Sequence, residues 1–382
     1  MQNPKFSIII PVYNVEKFIA RALESAINQS FEDIEIICVD DCGGDKSMDI
    51  VREFAARDKR IKIVQNPQNL GTFMARNNGA LAASGEYLFF LDSDDFLHKD
   101  ACLKCFELLQ GYESGDFDEI CKNGEFAEFS GSGAAQNADK NLAQNSAQAP
   151  ANKAQSRDEK APKIDFIMFN LLAQECKDGA FVPRRVAKSS QIISVREFEG
   201  LYFGEDSNFY SIWTKCVRKE TYLKALEFAA VKDKILVAED ILASAAIVGV
   251  SERVALLDEA LYHYCYNESS ATRATEKKQE RTEGVELVIS HLARLATKGD
   301  EAYGVFVRAL VLVLRWHILG NEMQPLLDLY RTRLARGYPK FIARGLLSLG
   351  KRRLLKGQDK AIKRRLREFV KENKGAFFGS GG

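Results

Sequence analysis

Phe6-Ser-Ile-Ile-Ile-Pro-Val-Tyr-Asn14 and Tyr87-Leu-Phe-Phe-Leu-Asp-Ser-Asp-Asp95 set the reading of the whole chain. Each is an apolar run of buried-strand length and composition, and each stops abruptly in polar side chains. Open α/β sheets bind their ligands at the carboxyl ends of such strands. Asp92, Asp94 and Asp95 crowd three carboxylates into four residues, an arrangement that a cation would relieve. Hard divalent ions such as Mn²⁺ or Mg²⁺ take oxygen ligands of this kind and share them with substrate phosphates. The second stretch therefore reads as a metal–diphosphate site.

The surrounding sequence alternates strand and helix. Phe6–Ile10 is followed by Phe18, Ile19, Ala22, Leu23, Ala26 and Ile27 at one-face helical spacing, with Asn14 as the expected N-cap. Ile34–Val39 leads into Asp40-Asp41 and a turn at Gly43-Gly44, then a helix bearing Met48, Ile50, Val51 and Phe54. Ile61–Val64 is a third strand, Thr72–Ala83 a third helix and Tyr87–Leu91 a fourth strand. This order predicts an α/β fold, a Rossmann-like, mostly parallel sheet with helices on both faces. From about Glu113 to Pro162 the chain turns small and polar, with little to bury, and is expected to be disordered. Strand character returns at Ile164–Asn170. Beyond Glu276 the pattern is helical.

With 46% hydrophobic residues, the 382-residue chain can bury a sizeable core. Its net charge of +1 conceals an asymmetry, because the segment from Arg331 onward carries +13 and the remainder −12. That tail lacks interleaved aromatics, which argues against nucleic acid as a partner. Ile362, Leu366, Phe369 and Val370 share one helical face against a basic one, the pattern of an interfacial helix on anionic lipid. Packing of the same helix on its own domain is the alternative. Met1-Gln-Asn-Pro-Lys5 runs directly into a strand, with no secretory signal. The apolar stretch Val305–Leu319 is interrupted by Arg308, Arg315 and His317 and falls short of a spanning helix. The expectation is a cytoplasmic protein, peripheral on the inner face of the membrane. The 8 cysteines do not form a disulfide framework, and the single Cys-x-x-Cys spacing, Cys102–Cys105, lacks the second pair a zinc site needs.

Pro11-Val-Tyr-Asn14, Val39-Asp-Asp41, Asn69-Leu-Gly71, Arg76-Asn77 and Asp92-Ser-Asp-Asp95 resemble, in order and spacing, the family 2 glycosyltransferases of the GT-A fold. The resemblance is close over roughly the first hundred residues and looser over the next 170 or so. It implies residues 1–112 as the nucleotide-sugar-binding half, 113–163 as an insertion, 164–275 as the acceptor-binding half and 276–382 as a helical, basic region. It implies donor contacts at Pro11, Tyr13, Asn14, Asp40, Asp41, Gly71, Arg76, Asp92 and Ser93. Asp41 would face the uracil of a UDP-sugar, and Arg76 would lie near the nucleotide. Asp94 would be the main ligand of Mn²⁺ or Mg²⁺, with Asp92 nearer ribose and metal. Val237-Ala-Glu-Asp-Ile-Leu242 resembles the family's Glu-Asp motif, making Asp240 the general base with Glu239 beside it. Trp213 and Lys215 resemble a segment lining the acceptor cleft, and His263 lies in a segment resembling the family's closing one.

Each motif also has a plainer explanation. Asp40 and Asp41 are ordinary turn residues, an Asp opening a helix is usually an electrostatic cap, and Trp213 suits a core. The implied activity is inverting, metal-dependent transfer of a sugar to a hydroxyl of a growing cell-surface glycan or lipid-linked glycan. A membrane-bound, non-catalytic scaffold of the same fold is the main alternative. A sugar-phosphate nucleotidylyltransferase would show a glycine-rich loop after the first strand, and a dinucleotide oxidoreductase would show Gly-x-Gly-x-x-Gly; neither is present.

Overall fold

The computed structural model describes residues 3–116, 162–174, 176, 179–187, 189–201, 210–268 and 278–319. One sheet organises them. Its first part is β1 (Phe6–Val12), β2 (Ile34–Asp40), β3 (Ile61–Gln65), β4 (Tyr87–Phe90) and β5 (Phe96–Leu97). Its second part is β6 (Phe166–Gln174), β7 (Phe181–Arg184), β8 (Gln191–Ser194), β9 (Lys215–Arg218) and β10 (Arg253–Tyr264). The strand order is β3-β2-β1-β4-β9-β6-β10-β5, with β7 added beside β6 and β8 beside β10.

β1, β2, β3 and β4 pair in parallel, and β6 pairs in parallel with β10. β9 enters between β4 and β6 and runs against both. The central sheet is thus mostly parallel, with one reversed strand where its two halves meet. β1, β2 and β4 are buried along their whole lengths, which explains their mostly apolar sequences; Ser7 and Glu35, the polar exceptions near their amino ends, bond to each other.

The helices follow the expected periodicity. α1 (Ile19–Ile27) buries Ile19, Ala22, Leu23 and Ala26, and α2 (Ser47–Arg57) buries Met48 and Val51. α3 (Thr72–Ala82) lies directly on β1 and β2 because Gly79 has no side chain. A β-carbon there would come within 2.5 Å of Ile9 and 3.0 Å of Val39. α4 is Ala101–Ser114, α5 Val195–Leu201, α6 Lys219–Ala229, α7 Glu239–Val250, α8 Lys278–Leu295 and α9 Glu301–Leu319. Tyr222 of α6 donates to Asn77 Oδ1 of α3 at 2.8 Å, tying the halves together beneath the site.

Asn14 does not cap α1. The helix opens after Phe18, past a turn in which the Phe18 and Ile19 amides donate to Val15 O. The Asn14 side chain instead accepts from the Gly44 amide at 2.8 Å, and its own φ of 54° lies in the left-handed region that Asn tolerates. The polarity expected at a cap is used to brace the β2–α2 loop.

The amino end of the sheet holds a polar anchor that sequence reading missed. Glu35 on β2 accepts from Ser7, Lys62, Ser84 and Gly85. Burial pushes its carboxyl up, but the bonds from Lys62, Ser7 and Ser84 outweigh that and bring it down to about 2.

The cysteines at 38, 42, 102, 105, 176, 216 and 265 are free thiols, as expected. Among the described residues no helix is long and apolar enough to cross a membrane. The stretch expected to be disordered lies, over 117–161, outside the described residues. So does the interfacial helix expected over residues 362–370.

Candidate functional site

The carboxyl ends of β1, β2 and β4 meet above the sheet, and the polar residues that end those strands form the site. Asp40, buried at the end of β2, accepts from the Cys42 amide at 2.9 Å. Asp41 is also buried and organises the loop before α3. Its Oδ1 accepts from Asn66 Nδ2 and the Leu70 amide, both at 2.8 Å, and its Oδ2 accepts from the Gly71 amide at 2.9 Å. A carboxylate has about four acceptor positions. Three are used here, so Asp41 is first a loop organiser with capacity for one further donor. Gly71 has φ +84°, a conformation suited to glycine, and aims its amide at Asp41. Tyr13 projects from the end of β1, 48% exposed, while Pro11 is buried within the strand.

Asp92, Ser93, Asp94 and Asp95 follow β4 and turn in different directions. Asp95 points into the protein, where Tyr262 Oη donates to it at 2.8 Å and the Cys265 amide at 2.7 Å. Burial, with the charges of Asp94 and Asp92 adding to it, raises this carboxyl well above the ordinary range. Tyr262 Oη also accepts from the Asp92 amide, so β10 fixes the loop. Asp94 takes a bond from Asn267 at 2.9 Å, and burial together with the Asp92 charge raises it. Ser93 is buried between them.

Arg76 joins this cluster to the second half of the chain. Its side chain is 5% exposed. Nη2 donates to Asp92 Oδ1 at 2.5 Å, and Nη1 donates to Asp240 Oδ1 at 2.7 Å with Glu239 Oε1 at 3.6 Å. Burial works against its charge, but the Asp92, Asp240 and Glu239 carboxylates outweigh it and hold the guanidinium well above its ordinary value. Nε is buried without a hydrogen-bond partner. Glu239 and Asp240 open α7, where acidic side chains face the helix's positive end. Burial raises both carboxyls, with the Asp240 charge adding for Glu239. For Asp240, Arg76 opposes the rise and Asp92 reinforces it.

Lys215, near enough to feel the Asp240 charge, is wholly buried and donates to Ser211 O at 2.8 Å. Burial brings it down to about 7 while the Asp240 charge works the other way. Trp213 is buried and stacks on Tyr262 and Tyr264, with centroids 4.7 and 5.4 Å apart, which makes it a support for β10. His263 stacks on Phe96 at 4.2 Å, and burial, followed by the influence of His98, lowers it to about 4. It is a neutral ring near pH 7 and offers a diphosphate no positive charge.

Sequence reasoning thus brought together Asp92, Arg76, Glu239 and Asp240 without foreseeing that one guanidinium links them. The roles of Tyr262, Cys265 and Asn267 in holding the acidic loop were also missed. Only their nearness to a motif would have suggested them. Among the described residues, no three His, Cys, Asp or Glu side chains converge as a closed metal cage. Asp92 and Asp94, both only partly covered, instead supply hard oxygen donors of the kind completed by substrate phosphates and water. Burial first and the Asp92 charge second raise the Asp94 carboxyl, and a cation between the two would relieve the second of these, so these two residues fit a shared Mn²⁺ or Mg²⁺ site.

Residues 7–122 match the model of glycosyl transferase family 2. The chain carries a family 2 glycosyltransferase domain. Over 276 residues the chain is 28% identical to the uncharacterized glycosyltransferase EpsJ of Bacillus subtilis, covering 72% of this chain and 64% of that one. Over 113 residues the chain is 39% identical to the poly(ribitol-phosphate) beta-glucosyltransferase of Bacillus spizizenii, covering 29% of this chain and 18% of that one. The chain thus spans less than two thirds of the length of these curated relatives. Among solved structures, S. aureus TarS 1-349 in complex with UDP-GlcNAc superposes with a TM-score of 0.54 at 18% identity, covering 97% of this chain and 92% of that one. The fold is GT-A, a mixed α/β architecture with a mostly parallel central sheet.

Proposed function

We propose that this glycosyltransferase moves a sugar from a UDP-sugar to a hydroxyl of a growing cell-surface glycan, with inversion at the anomeric carbon. The observation that carries the reading is Arg76, whose guanidinium binds both Asp92 and Asp240; in this reading Asp92 serves the donor and Asp240 the acceptor. Inverting transfer needs a leaving group and a base on opposite faces of the sugar, and this guanidinium fixes the spacing between the two carboxylates. The similarity to TarS, crystallised with UDP-GlcNAc, favours UDP as the nucleotide. The match to a poly(ribitol-phosphate) glucosyltransferase favours a hydroxyl-rich cell-surface polymer as acceptor.

In this reading Asp41 uses its remaining acceptor position for the uracil imide N–H, with Tyr13 beside the ring. Arg76 Nε is a charge-bearing donor suited to the diphosphate. Mn²⁺ or Mg²⁺, held by Asp94 and Asp92, would supply charge stabilisation to the departing UDP. Asp240 takes the acceptor hydroxyl proton as that oxygen bonds to the anomeric carbon and the bond to UDP breaks. A base works best when its proton affinity approaches the working pH, and burial raises Asp240 in that direction.

The test is UDP release from a panel of nucleotide sugars with Mn²⁺, with and without polyol-phosphate and cell-envelope glycan acceptors. Acceptor-dependent release that disappears in Asp240→Asn supports the transferase. A protein that binds UDP yet releases none from any donor is the scaffold instead.

A further inference from the structure

The connection between α6 and α7, residues 230–238, forms a strap with left-handed residues at both ends. Ala230 has φ 49° and Ala238 has φ 55°, and neither is glycine. A β-carbon makes that conformation unfavourable, so the surroundings hold both alanines in place. Between them Ile235 is 1% exposed and anchors the strap, while Leu236 next to it is 60% exposed.

The strap lies on the loop organised by Asp41. Lys234 Nζ donates to Asn69 O at 2.8 Å and to Asn69 Oδ1 at 2.5 Å. A β-carbon at Gly71 would come to 3.1 Å of Leu236 Cδ2 and 3.4 Å of Ile235 O, so the strap sits directly against the residue whose amide binds Asp41. On its other side the strap meets α8, where a β-carbon at Gly284 would reach 2.6 Å from Val237. Glu239 and Asp240 come immediately after it.

We propose that Leu236 is a donor-contacting residue that covers the nucleoside of the bound nucleotide, and that the strap thereby couples donor occupancy to the position of Asp240. This rests on the reading of the Asp41 loop as the nucleotide site. A leucine more than half exposed, on a backbone fixed by Ile235 and Lys234, has apolar surface left over for a ligand. It lies beside the loop whose carboxylate has one acceptor position remaining. Tyr13, 48% exposed just after β1, offers a second large apolar side chain at the carboxyl end of the strands. The left-handed Ala238 then transmits any settling of the strap to α7 within two residues.

Calorimetric titration of the full chain with UDP in Mn²⁺ tests the contact. Leu236→Ala is expected to weaken UDP binding about tenfold, equivalent to about 1.4 kcal/mol, with an unchanged melting temperature. Leu236→Met, which keeps the apolar reach, is expected to stay within about threefold of the parent. Amide exchange over residues 231–237 should slow when UDP is added. An unchanged UDP affinity in Leu236→Ala, or exchange in the strap indifferent to UDP, overturns the inference while leaving the donor reading intact. Failure of the parent protein to bind UDP overturns the donor reading itself.

Discussion

Arg76 donates to Asp240 at 2.7 Å across 164 residues of sequence, and the same guanidinium holds Asp92. The two halves of the chain therefore share a buried charge cluster in which three carboxylates surround one cation. Removing the cation leaves those carboxylates uncompensated. Arg76→Ala is expected to lower stability by roughly 3–5 kcal/mol in urea unfolding. Arg76→Met combined with Asp240→Asn should recover part of it. A single variant as stable as the parent would show the cluster to be energetically idle.

Asp240→Asn preserves shape but removes proton acceptance. Turnover should fall by ~10²–10⁴ while UDP affinity persists. Because burial raises Asp240 against the opposing charge of Arg76, the rate of the parent should climb with pH through a midpoint above the ordinary value of an aspartate. Near-normal turnover in Asp240→Asn, together with loss in Glu239→Gln, would transfer the role to Glu239.

Asp94→Ala should abolish the Mn²⁺-dependent part of UDP binding, because Asp92 alone cannot hold cation and diphosphate together. Calorimetry with and without the metal reads this directly. Identical affinities for parent and variant in Mn²⁺ would remove Asp94 from the metal site.

Glu35 gives a pH prediction at the opposite end of the sheet. Its carboxyl titrates near 2 in the fold, against an ordinary value of 4.5. The depressed value means that its stabilisation is complete above about 4.5 and is lost as pH falls through about 2. Glu35→Gln should be less stable at pH 7 and should show a flatter stability curve between pH 4.5 and 2. Parallel curves for parent and variant would refute this.

Gly71→Ala forces a β-carbon onto φ +84° and against Leu236. Destabilisation of roughly 1–3 kcal/mol and weaker UDP binding are expected, measured by thermal melting and calorimetry.

The strands were legible because β1, β2 and β4 are buried along their lengths and so appear as mostly apolar runs, broken only by Ser7 and Glu35 near their amino ends. The carboxylates after β2 and β4 were legible because they recur at the ends of two such runs, although Asp is also an ordinary turn residue. Three neighbouring aspartates look alike in sequence, and only the backbone shows that Asp95 turns inward onto Tyr262. Asn14 looked like a cap because its alternative partner, Gly44, becomes a neighbour only when β1 and β2 pair. The link between Arg76 and Asp240 left no local trace, as it depends on how α7 meets α3. The strap was hidden because its left-handed residues are alanines, and sequence reading looks to glycine for that conformation.

The reversed strand β9 pairs with β4, and β5 pairs with β10, so the sheet is stitched twice between residues that precede position 117 and residues that come after position 161. Backbone continuity across that interval is therefore not what holds the halves in register. A protease cutting there would yield two polypeptides that migrate separately under denaturing conditions and elute as one particle under native ones.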